Sequence, residues 1–174
     1  MLKSLMFLEC LQREMAVCHH GEIEAFLADD PGRWHVVSIR EPDHPEAILK
    51  DALKAHAVVF EDVLSSKGTH GHGPKATHLE GILRFVQNSG QAPLLFQCWA
   101  GRSRSTAVAL VVIVKSLWDQ GMDGPELVRT AADIRWGRPS ARRWWTSREF
   151  DGISSIESAS PCVRLCRLGT NERG

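Results

Sequence analysis

The chain has 174 residues, enough for one domain with a single buried core. Its 43% apolar and 24% charged content is that of an ordinary globular protein, not of a disordered or fibrous one. Lysine and arginine (21) balance aspartate and glutamate (21), so bulk charge gives no reason to expect nucleic acid or an anionic membrane as partner, although a local anion site stays open.

The opening MLKSLMFLECL is apolar but short. Glu9 interrupts it and no small-residue cleavage site follows, so it reads as a first strand and turn rather than a signal peptide. No apolar run reaches the length of a membrane span. The five cysteines are Cys10, Cys18, Cys98, Cys162 and Cys166. An odd count without a secretory signal argues for a reducing cytoplasm rather than a disulfide framework.

HVVSI (35–39) is a β-branched run that predicts a buried strand, with a two-proline loop from Arg40 to Pro45 behind it. EAILKDALKA (46–55) has a short helical pattern. AVVFEDV (57–63) predicts a second strand, closing on Glu61 and Asp62. The Gly, Ser and His content of 65–75 predicts a loop. Leu79, Ile82, Leu83 and Val86 recur at helical spacing, which predicts a helix over 76–90 with Gly90 at its stop.

PLLFQ (93–97) predicts a strand, CWAGRSR (98–104) a tight loop, and 105–121 a helix apolar almost all round and hence centrally buried. Another helix is expected over 123–136, Pro125 lying near its start. The basic, aromatic segment 137–150 follows. The domain is expected to fill 1–153, and the weak periodicity of 154–174 fits a partly disordered tail. Alternating strands and helices imply a single α/β domain with a mainly parallel central sheet flanked by helices.

The unit at 93–121 carries the chemistry. A Cys with Arg six residues later is weak by itself, but here an apolar strand delivers Cys98 to the carboxyl edge of the sheet, where α/β proteins bind ligands. Ala100, Gly101 and Ser103 are small, so the loop backbone from Trp99 through Arg102 can curl with its N–H groups inward. The helix that follows offers its N-terminus to an anion, and the Arg104 guanidinium can bind two phosphate oxygens side by side. The same groups favour a thiolate and stabilise a transferring phosphoryl group. Ser105 is placed to donate a hydrogen bond to the Cys98 sulfur and help it leave.

CWAGRSRST resembles the active-site signature of the protein tyrosine and dual-specificity phosphatases, Cys-x5-Arg followed by Ser or Thr. With VVFEDV before it and IRWGRPSA after it, the region 34–150 is similar to small bacterial predicted tyrosine phosphatases. The resemblance implies a dual-specificity-phosphatase-like fold, a phosphocysteine intermediate, no metal or other cofactor, and an aspartic general acid on a separate loop. It places that acid after a strand, about three dozen residues before the nucleophile, which selects Asp62, with Asp43 as runner-up. The catalytic set is then Cys98, Arg104, Asp62 and Ser105, and the phosphate-binding set is Trp99, Ala100, Gly101, Arg102, Ser103 and Arg104. Arg102 reads equally well as a substrate contact or a solvated side chain.

Two positions depart from the family pattern. Gln97 stands where the family has His before the nucleophile, which implies a slower enzyme. Arg142 and Arg143, then Trp144 and Trp145, stand where relatives often carry Asn. The expected partner is a phosphorylated protein or small phosphate ester, a phosphoinositide included. The alternatives are a weakened site that binds phosphorylated partners without turnover, and a rhodanese-type sulfurtransferase. The His70, His72 and His78 group, His19 and His20 beside Cys18, and the Cys162–Cys166 pair give no convincing metal set.

Overall fold

The computed structural model describes residues 4–8, 11–63, 71–133 and 163–164. In chain order they form β1 (Ser4–Leu8), β2 (Arg13–His19), a 3-10 turn (His20–Glu22), α1 (Ile23–Ala28), β3 (His35–Arg40), β4 (Lys54–Val59), α2 (Ala76–Asn88), β5 (Leu94–Cys98), α3 (Arg104–Asp119), α4 (Gly124–Asp133) and β6 (Val163–Arg164). The sheet order is β4-β3-β5-β2-β1-β6. The four strands β4, β3, β5 and β2 are mutually parallel, and β1 is antiparallel to both of its neighbours. The expected α/β fold with a mainly parallel sheet is therefore present. β6 comes from the segment expected to be a tail; the boundary at 153 lies outside the described residues.

β5 enters the sheet last of the parallel four and takes the slot between β2 and β3. All five of its residues are buried, which is why LLFQC reads as a continuous apolar run and not as an alternating one. Its side chains still divide between two cores. Leu94, Phe96 and Cys98 join Met15, Val17, Val37 and Ile39 under α2, α3 and α4. Leu95 joins Ala16, Cys18, Val36 and Trp34 under α1. The period-two geometry of a strand sets this division, and it places Cys98 on the α3 side.

Three expectations need correction. Residues 46–55 form no helix. Their backbone groups serve the loop beneath: Asp51 O accepts from Gly32 N at 2.8 Å, and Leu53 N donates to Trp34 O at 2.9 Å. A helical stretch this short is marginal without such competition. The second parallel strand runs over Lys54–Val59 rather than 57–63, because it must match β3 residue for residue, from His35↔Lys54 to Arg40↔Val59. Glu61 and Asp62 consequently lie beyond the strand. Finally, α3 is not buried all round. Ala109, Val112, Ile113 and Leu117 form its core face, whereas Val111 and Trp118 are exposed. β2 and α1 were not among the expected elements. Among the described residues, no helix is long and apolar enough to cross a membrane.

Candidate functional site

Because β2, β3, β4 and β5 are parallel, their carboxyl ends share one edge. There His19, Arg40, Val59 and Cys98 hand the chain to four loops. The loop after β5 docks on the end of β2. Trp99 O accepts a hydrogen bond from His20 N at 3.3 Å. Gly101 has φ +62, and a Cβ added there would meet His19 N at 2.7 Å and the Cys18 carbonyl carbon at 2.8 Å. Both the left-handed backbone and the close approach of two main chains require glycine at that position.

Cys98 is 1% exposed, and its Sγ lies 3.1 Å from Ser105 Oγ. Ser105 is wholly buried in the first turn of α3. Thr106 fastens that turn to the loop: its hydroxyl donates to Ser103 O at 2.9 Å and to Arg102 O. Arg102 itself is exposed, as are Trp99 and Ala100.

Arg104 opens α3 and is only 6% exposed. Its Nη1 donates to Phe60 O at 3.1 Å, and its Nη2 pairs with Glu41 Oε1 at 3.1 Å. Asp62 Oδ2 stands 3.8 Å from Nε, outside hydrogen-bond reach, so this buried Nε–H has no acceptor. The other Asp62 oxygen accepts from Ser103 Oγ at 2.6 Å. Asp62, expected on a separate loop, follows β4 on the far side of β3 and reaches Ser103 of the loop after β5. The Arg104 fork is thus held by Glu41 and the Phe60 carbonyl, and its Nε nitrogen stays unpartnered beside Asp62.

Sequence reasoning missed Glu41. The runner-up acid in its loop was Asp43, but Asp43 is exposed and it is Glu41 that reaches Arg104. Its position directly after a strand of the parallel sheet was the available signal. His20 and His44 were missed as well. Both stack on Trp99, with ring centroids at 4.9 Å and 4.3 Å, and His44 Nε2 lies 4.0 Å from Glu41 Oε2. Together they form an aromatic stack on the loop that follows Cys98. Gln97 is buried, and its Oε1 accepts from Ser38 Oγ at 2.7 Å on the β3 neighbour.

Among the described residues no group of three metal-binding side chains comes together. Both His19 ring nitrogens are engaged locally, Nδ1 accepting from Gly21 N and Nε2 lying 3.0 Å from Glu22. His70, Cys10, Cys162, Cys166 and the basic segment at 142–145 lie outside the described residues. No protein-family model and no curated protein sequence matches the chain.

Proposed function

We propose that the chain is a phosphomonoester hydrolase that works through a cysteinyl-phosphate. The observation that carries this reading is that Asp62, from a loop far upstream in the sequence, meets the contiguous Cys98–Ser105 unit. The Cys98 thiol stands beside the Ser105 hydroxyl, and the buried Arg104 fork keeps an unspent N–H beside Asp62.

In the first step the Cys98 thiolate attacks phosphorus and forms an S–P bond. The P–O bond to the leaving group breaks, and Asp62, protonated, delivers its proton to that oxygen. Arg104 and the loop amides hold the equatorial oxygens while charge spreads over them. In the second step Asp62, now a carboxylate, takes a proton from water as the water attacks phosphorus. The S–P bond breaks, inorganic phosphate leaves, and the Ser105 hydroxyl donates to the departing thiolate. In this scheme Asp62 must release Ser103 to meet the leaving oxygen. Its side chain is 44% exposed, which leaves it room to turn.

The substrate is a phosphorylated protein or a smaller phosphate ester, with phosphotyrosine as the first choice because the loop resembles those of tyrosine phosphatases. The test is release of p-nitrophenol from p-nitrophenyl phosphate, without added metal, beside Cys98→Ser. Turnover lost in the variant supports the hydrolase. One observation favours a second reading, capture of phosphorylated partners without turnover. Gln97 spends its carbonyl on Ser38 and brings no charge to the neighbouring thiol. Saturable vanadate binding with no turnover would favour it.

A further inference from the structure

At the opposite edge of the sheet, Arg13 begins β2 and is 8% exposed. Its Nε donates to Ala92 O at 2.7 Å and its Nη2 donates to Ser89 Oγ. Ser89 passes the bond on to Val86 O at 2.5 Å. Every one of these partners is neutral. Burying a guanidinium costs several kcal/mol unless a counter-charge is present, and arginines this deep are normally paired. Burial pushes its pKa down to about 10.

Arg13 also lines a cavity of about 130 Å³. Leu11, Met15, Leu94 and Val112 lie behind the cavity and are themselves almost wholly buried. Gln91, Ser116 and Gln120 supply amide and hydroxyl groups, and both glutamines are exposed, so the cavity opens to solvent. An apolar cavity of about 150 Å³ holds a molecule the size of benzene, so this one suits roughly five or six heavy atoms.

We infer that this cavity is a second binding site, for a small organic carboxylate, whose negative charge pairs with Arg13 and whose carbon body fills the remaining volume. One guanidinium balances one negative charge. A phosphate dianion would bring a second charge that no other cation among the described lining residues compensates, and a monatomic anion would leave most of the volume unfilled. The site is separate from the nucleophile. Arg13 lies level with Ala92, six residues before Cys98 on a neighbouring strand, about 20 Å away at 3.3 Å per residue. Helix α3 spans the interval, with Arg104 at one end and Val112, Ser116 and Gln120 along the cavity.

The test is a titration of the full chain with butyrate, followed by amide nuclear magnetic resonance, beside butyramide and inorganic phosphate. Butyrate is expected to shift the amides of Arg13, Gln91 and Gln120 saturably. Both controls are expected to bind at least about tenfold more weakly, the consequence of losing one charge-assisted contact or of burying an excess charge. Arg13→Gln should weaken butyrate binding by about tenfold or more. Ser116→Leu fills the cavity, sacrifices only a local bond to Val112 O, and should abolish binding with Arg13 intact. It decides the matter should Arg13→Gln fail to fold. No saturable shift with butyrate, equal binding of butyramide or phosphate, or unchanged binding in Ser116→Leu would each overturn the inference. None of these readouts depends on catalysis.

Discussion

Arg104 and Arg13 are almost equally buried, at 6% and 8% exposure, and each opens an element of the same core. Their surroundings differ. Arg104 sits at the carboxyl edge of the parallel strands with Glu41 and Asp62 beside it, and one of its N–H groups has no acceptor. Arg13 sits at the amino edge, where among the described residues its hydrogen bonds go to a carbonyl and a hydroxyl, and burial lowers its pKa. The first is a charge held ready by other charges. The second is a charge fixed by neutral groups. Burial alone therefore does not separate the two arginines; the partners offered to each buried charge do.

The largest effect that would sharpen this contrast is on turnover. Arg104→Lys keeps the charge and loses the fork, and should lower kcat for p-nitrophenyl phosphate by about 10³-fold, comparable to removing an oxyanion donor. A loss below tenfold would mean that the Arg104 fork serves the fold and not turnover.

Next comes the loop that positions Arg104. Gly101→Ala forces a side chain against the Cys18–His19 backbone at positive φ, and should cost about 2–4 kcal/mol in urea unfolding. Arg13→Met is expected to change the same unfolding free energy by only about 1 kcal/mol, because a buried charge with neutral partners among the described residues is replaced by an apolar chain of similar reach. A loss as large as that of Gly101→Ala would show that the bonds to Ala92 and Ser89 hold β2 in place.

The smallest effect is a pH slope. Burial lowers the pKa values of His35, His56 and His78 below the usual 6.5. The unfolded chain then binds more protons between the folded and unfolded values, so stability is full above 6.5 and declines as pH falls below it. Urea midpoints should drop on acidification. His56 stacks on Phe85 with its Nε2 unpartnered, so His56→Phe should flatten part of the slope.

The sequence made some of this legible. Strand, small-residue loop and helix are contiguous over 93–121, so local chemistry alone predicts their order, and β5 and α3 fall within a residue or two of expectation. β3 and α2 were readable for the same reason. β2 was not, because its strand begins with a buried arginine and a glutamate that pairs with Arg33 at 2.5 Å, both of which disguise the apolar pattern. The bounds of β4 depend on its register with β3 and are not local information. Glu41 could not be assigned either: its value lies in one contact with Arg104, which exists only once β3 and β5 are neighbours.

The central claim is that Cys98 forms a covalent bond to phosphorus. Its most direct test is acid quenching of the protein during turnover of p-nitrophenyl phosphate, followed by mass spectrometry of the peptide that contains Cys98. The account predicts a phosphoryl adduct on that peptide which is absent in Cys98→Ser. Turnover with no adduct, or with an adduct that survives in Cys98→Ser, would contradict it.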